Sequence, residues 1–131
     1  MEYEEFIAHV THDADLSEEE AARLARATLA TFAERITGGE AQKLAAQLPA
    51  PLKTALISAH EHAEAFSVQE FVERTAERAG TEPDVAEVAS RAVLGSLRDA
   101  VTPGELDDAL SQLPAAFHRL ARLPAPRFTS R

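Results

Sequence analysis

The chain has 131 residues and no cysteine, and it carries a net charge of −9 at pH 7. Its length suits one ordinary domain or two very small ones, and its apolar content of 45% indicates a globular fold. The negative charge argues against a general binder of phosphate backbones, and the absence of cysteine excludes disulfides, zinc–thiolate centres and cysteine nucleophiles.

The first two helices are predicted from apolar spacing and from a capping motif. Apolar residues at i, i+3, i+4 and i+7 predict a helix at the start of the chain. They are Tyr3, Phe6, Ile7 and Val10. The run from Ser17 to Glu20 is typical of a capping box, in which each side chain bonds the backbone amide of the other residue. The helix that it opens is expected to end near Ile36.

A second capping motif follows at once. Thr37 and Glu40 are expected to form a capping box, and the Gly38-Gly39 pair between them is expected to turn the chain sharply. The third helix must stop before Pro49, because proline cannot continue a helix and also restricts the preceding residue. A fourth helix is expected to start within a residue or two of this proline.

The same motifs recur at a fixed distance. The run from Thr37 to Glu40 has its counterpart 65 residues later, from Thr102 to Glu105. The run from Gln47 to Pro49 recurs from Gln112 to Pro114 with no insertion. A fixed period of this kind indicates tandem structural repeats. In the second copy we expect Thr102 to cap a helix that has proline at its first position.

The second repeat begins with a further predicted capping box from Ser67 to Glu70. Phe66 before the cap and Phe71 after it occupy the two positions of a hydrophobic staple. Gly80 is expected to be the left-handed residue that ends this helix.

The patterns predict an all-α fold of about eight helices, arranged as two tandem four-helix repeats of about 65 residues each. A unit of this size buries little core of its own, so we expect the repeats to pack on each other with pseudo-twofold symmetry. The predicted units are helical repeat one at 1–65, helical repeat two at 66–124 and a basic disordered tail at 125–131. No acidic residue follows Asp108, so the chain end is either a loose basic end or a docking segment for an acidic partner.

Several short runs share their spacing in both repeats. They are Glu5-Phe6, Gly39-Glu40 and Gln47-Leu48-Pro49, with the partners Glu70-Phe71, Gly104-Glu105 and Gln112-Leu113-Pro114, and the Arg-Ala-x-Leu runs that open at Arg26 and Arg91. This pattern resembles the bacterial domain of unknown function family 2267 over residues 1–123. The resemblance implies a small all-helical bacterial protein, and it implies no activity and no catalytic residues.

Three side chains of the first helix have the spacing of a metal site. His9, His12 and Asp13 lie at i, i+3 and i+4, which places them on one helical face, and imidazole suits zinc or iron. The equivalent positions of the second repeat hold two arginines and a glutamate, which is typical of a solvated salt-bridge face. We therefore predict that His9 and His12 are exposed and that no metal or other cofactor is bound.

Arg26 and Arg91 lie beside the apolar stripes of the long helices. Each is expected to pair with a carboxylate of its own repeat, and anion binding is the alternative. The candidate partners are Glu40 and Glu105, or Glu5 and Glu70. Gln47 and Gln112 are predicted to cap the ends of the short helices or to bond the kinked backbone before each proline.

Capping motifs, stripes and repeats account for most of the chain and leave no catalytic set. The sequence therefore favours a non-enzymatic interaction or adaptor module, which binds a partner protein through a helical surface or forms a homo-oligomer. The alternative is a small-ligand or metal-binding protein with a site between the repeats, where pockets often form, and an enzyme is a third hypothesis.

No apolar run approaches the roughly 20 residues that span a bilayer. The first residues are acidic, unlike the basic start of a signal peptide. We expect a cytoplasmic protein with no membrane partner and no nucleic-acid partner.

Overall fold

In a computed structural model the described residues are 1–57 and 62–122, with the backbone alone described for Arg122. The predicted tail at 125–131 lies outside this part of the chain. Below, the first half means residues 1–65 and the second half means residues 66–122.

The described residues form eight helices and no strand, so the predicted all-α fold and helix number are confirmed. The helices are α1 Tyr3–Ala14, α2 Glu18–Arg35, α3 Gly38–Ala45, α4 Ala50–Lys53, α5 Val68–Ala79, α6 Pro83–Ala100, α7 Glu105–Leu110 and α8 Ala115–Arg122. Both ends of α5 and α6 lie 65 residues after the ends of α1 and α2. The period that is visible in the motifs is therefore also the period of the long helices, and pseudo-twofold packing remains a prediction.

Local signals set most of these boundaries. The capping box of α2 is complete, because the Ser17 amide donates to Glu20 Oε1 at 3.0 Å and the Glu20 amide donates to Ser17 Oγ at 3.1 Å. Helix α5 ends as predicted at Gly80, which has a left-handed φ of 68°. Asp15 ends α1 in the same conformation, which aspartate tolerates better than most residues.

Two of the predicted capping boxes are only half formed. Thr37 Oγ1 accepts from the Glu40 amide at 3.2 Å and Ser67 Oγ accepts from the Glu70 amide at 3.0 Å. No return bond from either glutamate is present. Gly39 also does not turn the chain, because it lies in the first turn of α3 without a positive φ.

The predicted cap at Thr102 is wrong. Helix α7 begins only at Glu105, and its N-cap is Gly104 with φ 92° and ψ −18°. The reason lies elsewhere in the fold, because the amide and hydroxyl of Thr102 both donate to Gln47 Oε1, at 2.6 Å and 2.7 Å. Thr102 is thus tied to the first half instead of capping its own helix.

The core is shared between the halves. Helix α1 packs on α6 as well as on α2, and α5 packs on α2 as well as on α6, while α2 and α6 also contact each other. The first helix of each half, α1 or α5, therefore covers the long helix of the opposite half. Phe71 illustrates this sharing, because its ring makes edge-to-face contacts with Phe32 of the first half at 6.5 Å and with Phe117 at 5.9 Å between centroids.

Because the core is shared, we expect loss of Phe71 to unfold both halves together. Phe71 is fully buried, so Phe71→Ala should lower the free energy of unfolding by about 3–5 kcal/mol. Tyr3 lies in the first half and is the only tyrosine. Its fluorescence and the far-UV circular dichroism should therefore shift to the same lower denaturant midpoint.

Phe6→Ala is the matched variant, since Phe6 is fully buried at the equivalent position of the first half. It should behave in the same way. A Tyr3 transition that stays at the wild-type midpoint in Phe71→Ala would show independent halves, as would a fragment of residues 1–65 that melts sharply as a monomer.

Gly104 is expected to be sensitive to any side chain because of its backbone conformation. Its φ of 92° disfavours an L-residue, so Gly104→Ala should cost about 1–2 kcal/mol even though the space around it is open. Gly39→Ala is the control, because Gly39 is helical and a Cβ there would meet nothing within 4 Å. It should be neutral or stabilising by about 0.5 kcal/mol. Equal urea midpoints for the two variants would contradict this account.

Candidate functional site

A small cleft lies between the two halves, where the end of α2 and the start of α3 face α7 and the residues that follow it. We call it the inter-half cleft. Its volume is about 130 Å³. The residues that line it are Arg35, Ile36, Thr37, Glu40, Ala63, Asp108, Ala109, Gln112 and Leu113.

Arg35 is the most unusual residue of the cleft. It is the last residue of α2 and only 8% exposed. Its Nε donates to the backbone oxygen of Phe66 at 2.9 Å, and its guanidinium lies 5.0 Å from the ring centroid of Phe117 and 5.7 Å from that of Phe66. These contacts hold the guanidinium in one orientation, and burial lowers its pKa.

No carboxylate of the described residues pairs with Arg35. Its two terminal nitrogens also have no hydrogen-bond acceptor in this part of the chain. These nitrogens are not among the fully buried unpaired atoms, so they keep access to solvent. Arg35 therefore brings an unused pair of charged donors to the wall of the cleft.

Two carboxylates also line the cleft. Glu40 is half-buried, and its Oε1 is fully buried with no partner among the described residues. Asp108 is exposed at the other side, on α7. Arg35 forms an ion pair with neither of them within the described residues. The cleft thus holds one cation and two anions that are kept apart by the fold.

A direct contact joins the counterpart motifs at a second place between the halves. There Gln47 Oε1 accepts both bonds from Thr102, while its Nε2 donates to the Lys43 carbonyl at 3.5 Å. The corresponding pair, Gln112 and Thr37, makes no such contact and lines the cleft instead. The two halves therefore differ where their motifs meet.

Sequence reasoning missed Arg35, although a signal was present. A shift of 65 residues aligns Arg35 with Ala100. A charged residue at the apolar end of a long helix, where the other repeat has alanine, marks a difference between otherwise similar halves. Comparing the repeats for such differences, as well as for identities, would have found it.

A network of ion pairs joins the halves beside the cleft. The Glu34 carboxylate accepts from Arg74 at 3.0 Å and from both terminal nitrogens of Arg78. Arg74 also binds Glu64 at 3.1 Å and Glu70 at 2.8 Å. Hydrogen bonds that Glu34 accepts from Arg78, and then from Arg74, lower the pKa of Glu34. The bonds that Arg74 donates to Glu64 and Glu70 raise the pKa of Arg74.

Arg91 pairs with a carboxylate of its own repeat, as predicted, but the glutamates named as candidate partners of Arg26 and Arg91 are wrong. Arg91 pairs with Glu87 at 2.9 Å, because that glutamate lies one helical turn away on the same face. Arg26 is exposed and pairs with none of the described residues. Glu5 is exposed at the surface of α1, and Glu105 is half-buried at the first position of α7.

The remaining predicted positions have structural settings. Pro49 is the N-cap of α4 and Pro114 precedes α8. Among the histidines, His12 is exposed as predicted, but His9 is half-buried, as is Asp13. Within the described residues no three His, Asp or Glu side chains are arranged to hold a metal ion.

The sequence profile of one family, described as "Uncharacterized conserved protein (DUF2267)", matches residues 3–120. The chain belongs to the DUF2267 family. This confirms the resemblance noted above, and the description of the family assigns no activity. No curated protein matches the chain. Among the described residues of this DUF2267 protein, no helix is both long enough and apolar enough to cross a membrane.

The ion pairs of Glu34 are expected to make stability depend on pH. Glu34→Gln should lower the free energy of unfolding at pH 7 by about 1 kcal/mol, a modest value because the side chains are partly exposed. The folded-state pKa of Glu34 is depressed, so its contribution is present above the unfolded pKa and is lost as the pH falls through the folded pKa. The difference between wild type and Glu34→Gln should therefore disappear in acid.

Urea unfolding at pH 7 and in acid measures this difference, since urea does not screen charges. Glu87→Gln is the matched control, because its pair with Arg91 lies within one helix and should contribute only about 0.3–0.5 kcal/mol. An equal loss in both variants at pH 7 would contradict a special role for the network between the halves.

Proposed function

We propose that this DUF2267 protein acts by binding a small polar molecule in the inter-half cleft. The observation that carries the proposal is Arg35, a buried guanidinium with two unused donors at a cavity to which both halves contribute. Among the described residues that line the cleft, Thr37 supplies one hydroxyl, and there is no histidine or lysine. The lining therefore suits recognition better than catalysis.

The guanidinium of Arg35 is prepared for a ligand. Its Nε bond to Phe66 and the two aromatic rings fix its plane, so little entropy is lost when an acceptor binds. A planar acceptor such as a carboxylate accepts two parallel bonds from an arginine. Such a ligand would satisfy the donors that the described residues leave free.

The size of the cleft limits the ligand. A cavity of about 150 Å³ holds benzene, and drug-sized ligands need roughly 300–1,000 Å³. The inter-half cleft, at about 130 Å³, therefore suits a molecule smaller than a drug or a nucleotide. We propose a metabolite of about five or six non-hydrogen atoms.

Titration with small carboxylates and amino acids, followed by the amide chemical shifts of Ala109 and Gln112, tests the proposal. Arg35→Met should weaken binding by about 10- to 100-fold, because a hydrogen bond to a charged group contributes about 1.5–3 kcal/mol. Arg26→Met is the control, since Arg26 is exposed on the same helix and does not line the cleft. Shifts that persist unchanged in Arg35→Met would contradict the proposal.

An adaptor that binds a protein through its helical surface is the second candidate. Ile57 supports it, because it is 53% exposed and is the large hydrophobic side chain that the described part of the chain leaves in solvent. As part of this second candidate, we propose a cytoplasmic protein that does not bind nucleic acid, in keeping with the net charge of −9. Sedimentation of wild type and Ile57→Ser tests the homo-oligomer: a dimer lost only in Ile57→Ser would favour this candidate.

A further inference from the structure

The charges around the inter-half cleft do not match a simple ion. Arg35 supplies one positive charge, and Glu40 and Asp108 supply two negative charges. A ligand with only a carboxylate would gain bonds from Arg35 but would be repelled by the two acids. A ligand with only an ammonium group would be attracted by the acids but would leave the donors of Arg35 unused.

The opposite charges are prevented from neutralising each other. The backbone oxygen of Phe66 and the ring of Phe117 hold the guanidinium of Arg35, while Glu40 lies in the first turn of α3 and Asp108 lies on α7. Glu40 and Asp108 both line the cleft, and neither forms an ion pair within the described residues. The cleft thus offers a guanidinium without an acceptor and two carboxylates without a cation.

We infer that the ligand is a small zwitterion, with its carboxylate on Arg35 and its ammonium group between Glu40 and Asp108. This inference rests on the proposed function and specifies the class of ligand. The volume of about 130 Å³ suits an amino acid with a very small side chain. The exposed amide of Gln112 can bond either end of such a molecule.

Three probes separate the contributions of the two charges: acetate carries the carboxylate alone, methylammonium carries the cation alone, and glycine carries both. Binding is followed by the chemical shifts of the Ala109 backbone amide and the Gln112 side-chain amide. Glycine should bind at least tenfold more tightly than acetate or methylammonium. Arg35→Met should weaken glycine binding at least tenfold. If the methionine variant fails to fold, Arg35→Lys retains the charge and should also weaken glycine binding.

Asp108→Asn tests the contribution of the acidic residues. It should weaken the binding of glycine and methylammonium. Acetate should bind equally or more tightly, because a repelling charge is removed. Asp99→Asn is the matched control, since Asp99 is an exposed carboxylate that does not line the cleft, and it should change none of the three affinities.

The outcomes distinguish this inference from the proposed function. Acetate that binds as tightly as glycine and depends on Arg35 would overturn the zwitterion and leave the cleft as a binding site. Methylammonium that binds as tightly as glycine would also overturn the zwitterion. If none of the three probes shifts either amide, both the inference and the proposed function are overturned.

Discussion

The structure depends on the packing of the first helix of each half against the long helix of the other half. Helix α1 covers α6 and α5 covers α2, so the apolar surface of each half is buried by residues that lie about 65 positions away. A unit of this size buries little surface of its own and is only marginally stable alone. Sharing a core brings Phe32 of the first half against Phe71 of the second half, and Phe71 also contacts Phe117 of its own half.

The recurring motifs of the two repeats meet at two places between the halves. At one of them Gln47 accepts hydrogen bonds from the amide and the hydroxyl of Thr102. The other contains the inter-half cleft, where Gln112 and Thr37 make no such bond and Arg35 replaces the small residue of the second repeat. A difference between repeats thus turns a structural junction into a candidate binding site.

The same region fixes the segment that leads into the second half. The Glu64 amide donates to the Glu34 carbonyl at 2.9 Å, and Arg35 Nε donates to the Phe66 carbonyl, also at 2.9 Å. Arg74 adds a contact from α5, with its guanidinium 3.9 Å from the centroid of the Phe66 ring. This segment supplies Ala63 to the cleft wall, so the contacts that fix the segment also shape the cleft.

The sequence by itself determined the helices, the period and the family. Apolar stripes and capping residues such as Ser17 and Gly80 act within a few positions, so their effect can be predicted without the fold. Only the tertiary structure decided that Thr102 would bond Gln47 instead of capping α7. It also decided that Arg35 would be buried without a carboxylate partner among the described residues. Those outcomes depend on partners 31 to 55 residues apart, which only the packing of the halves brings together.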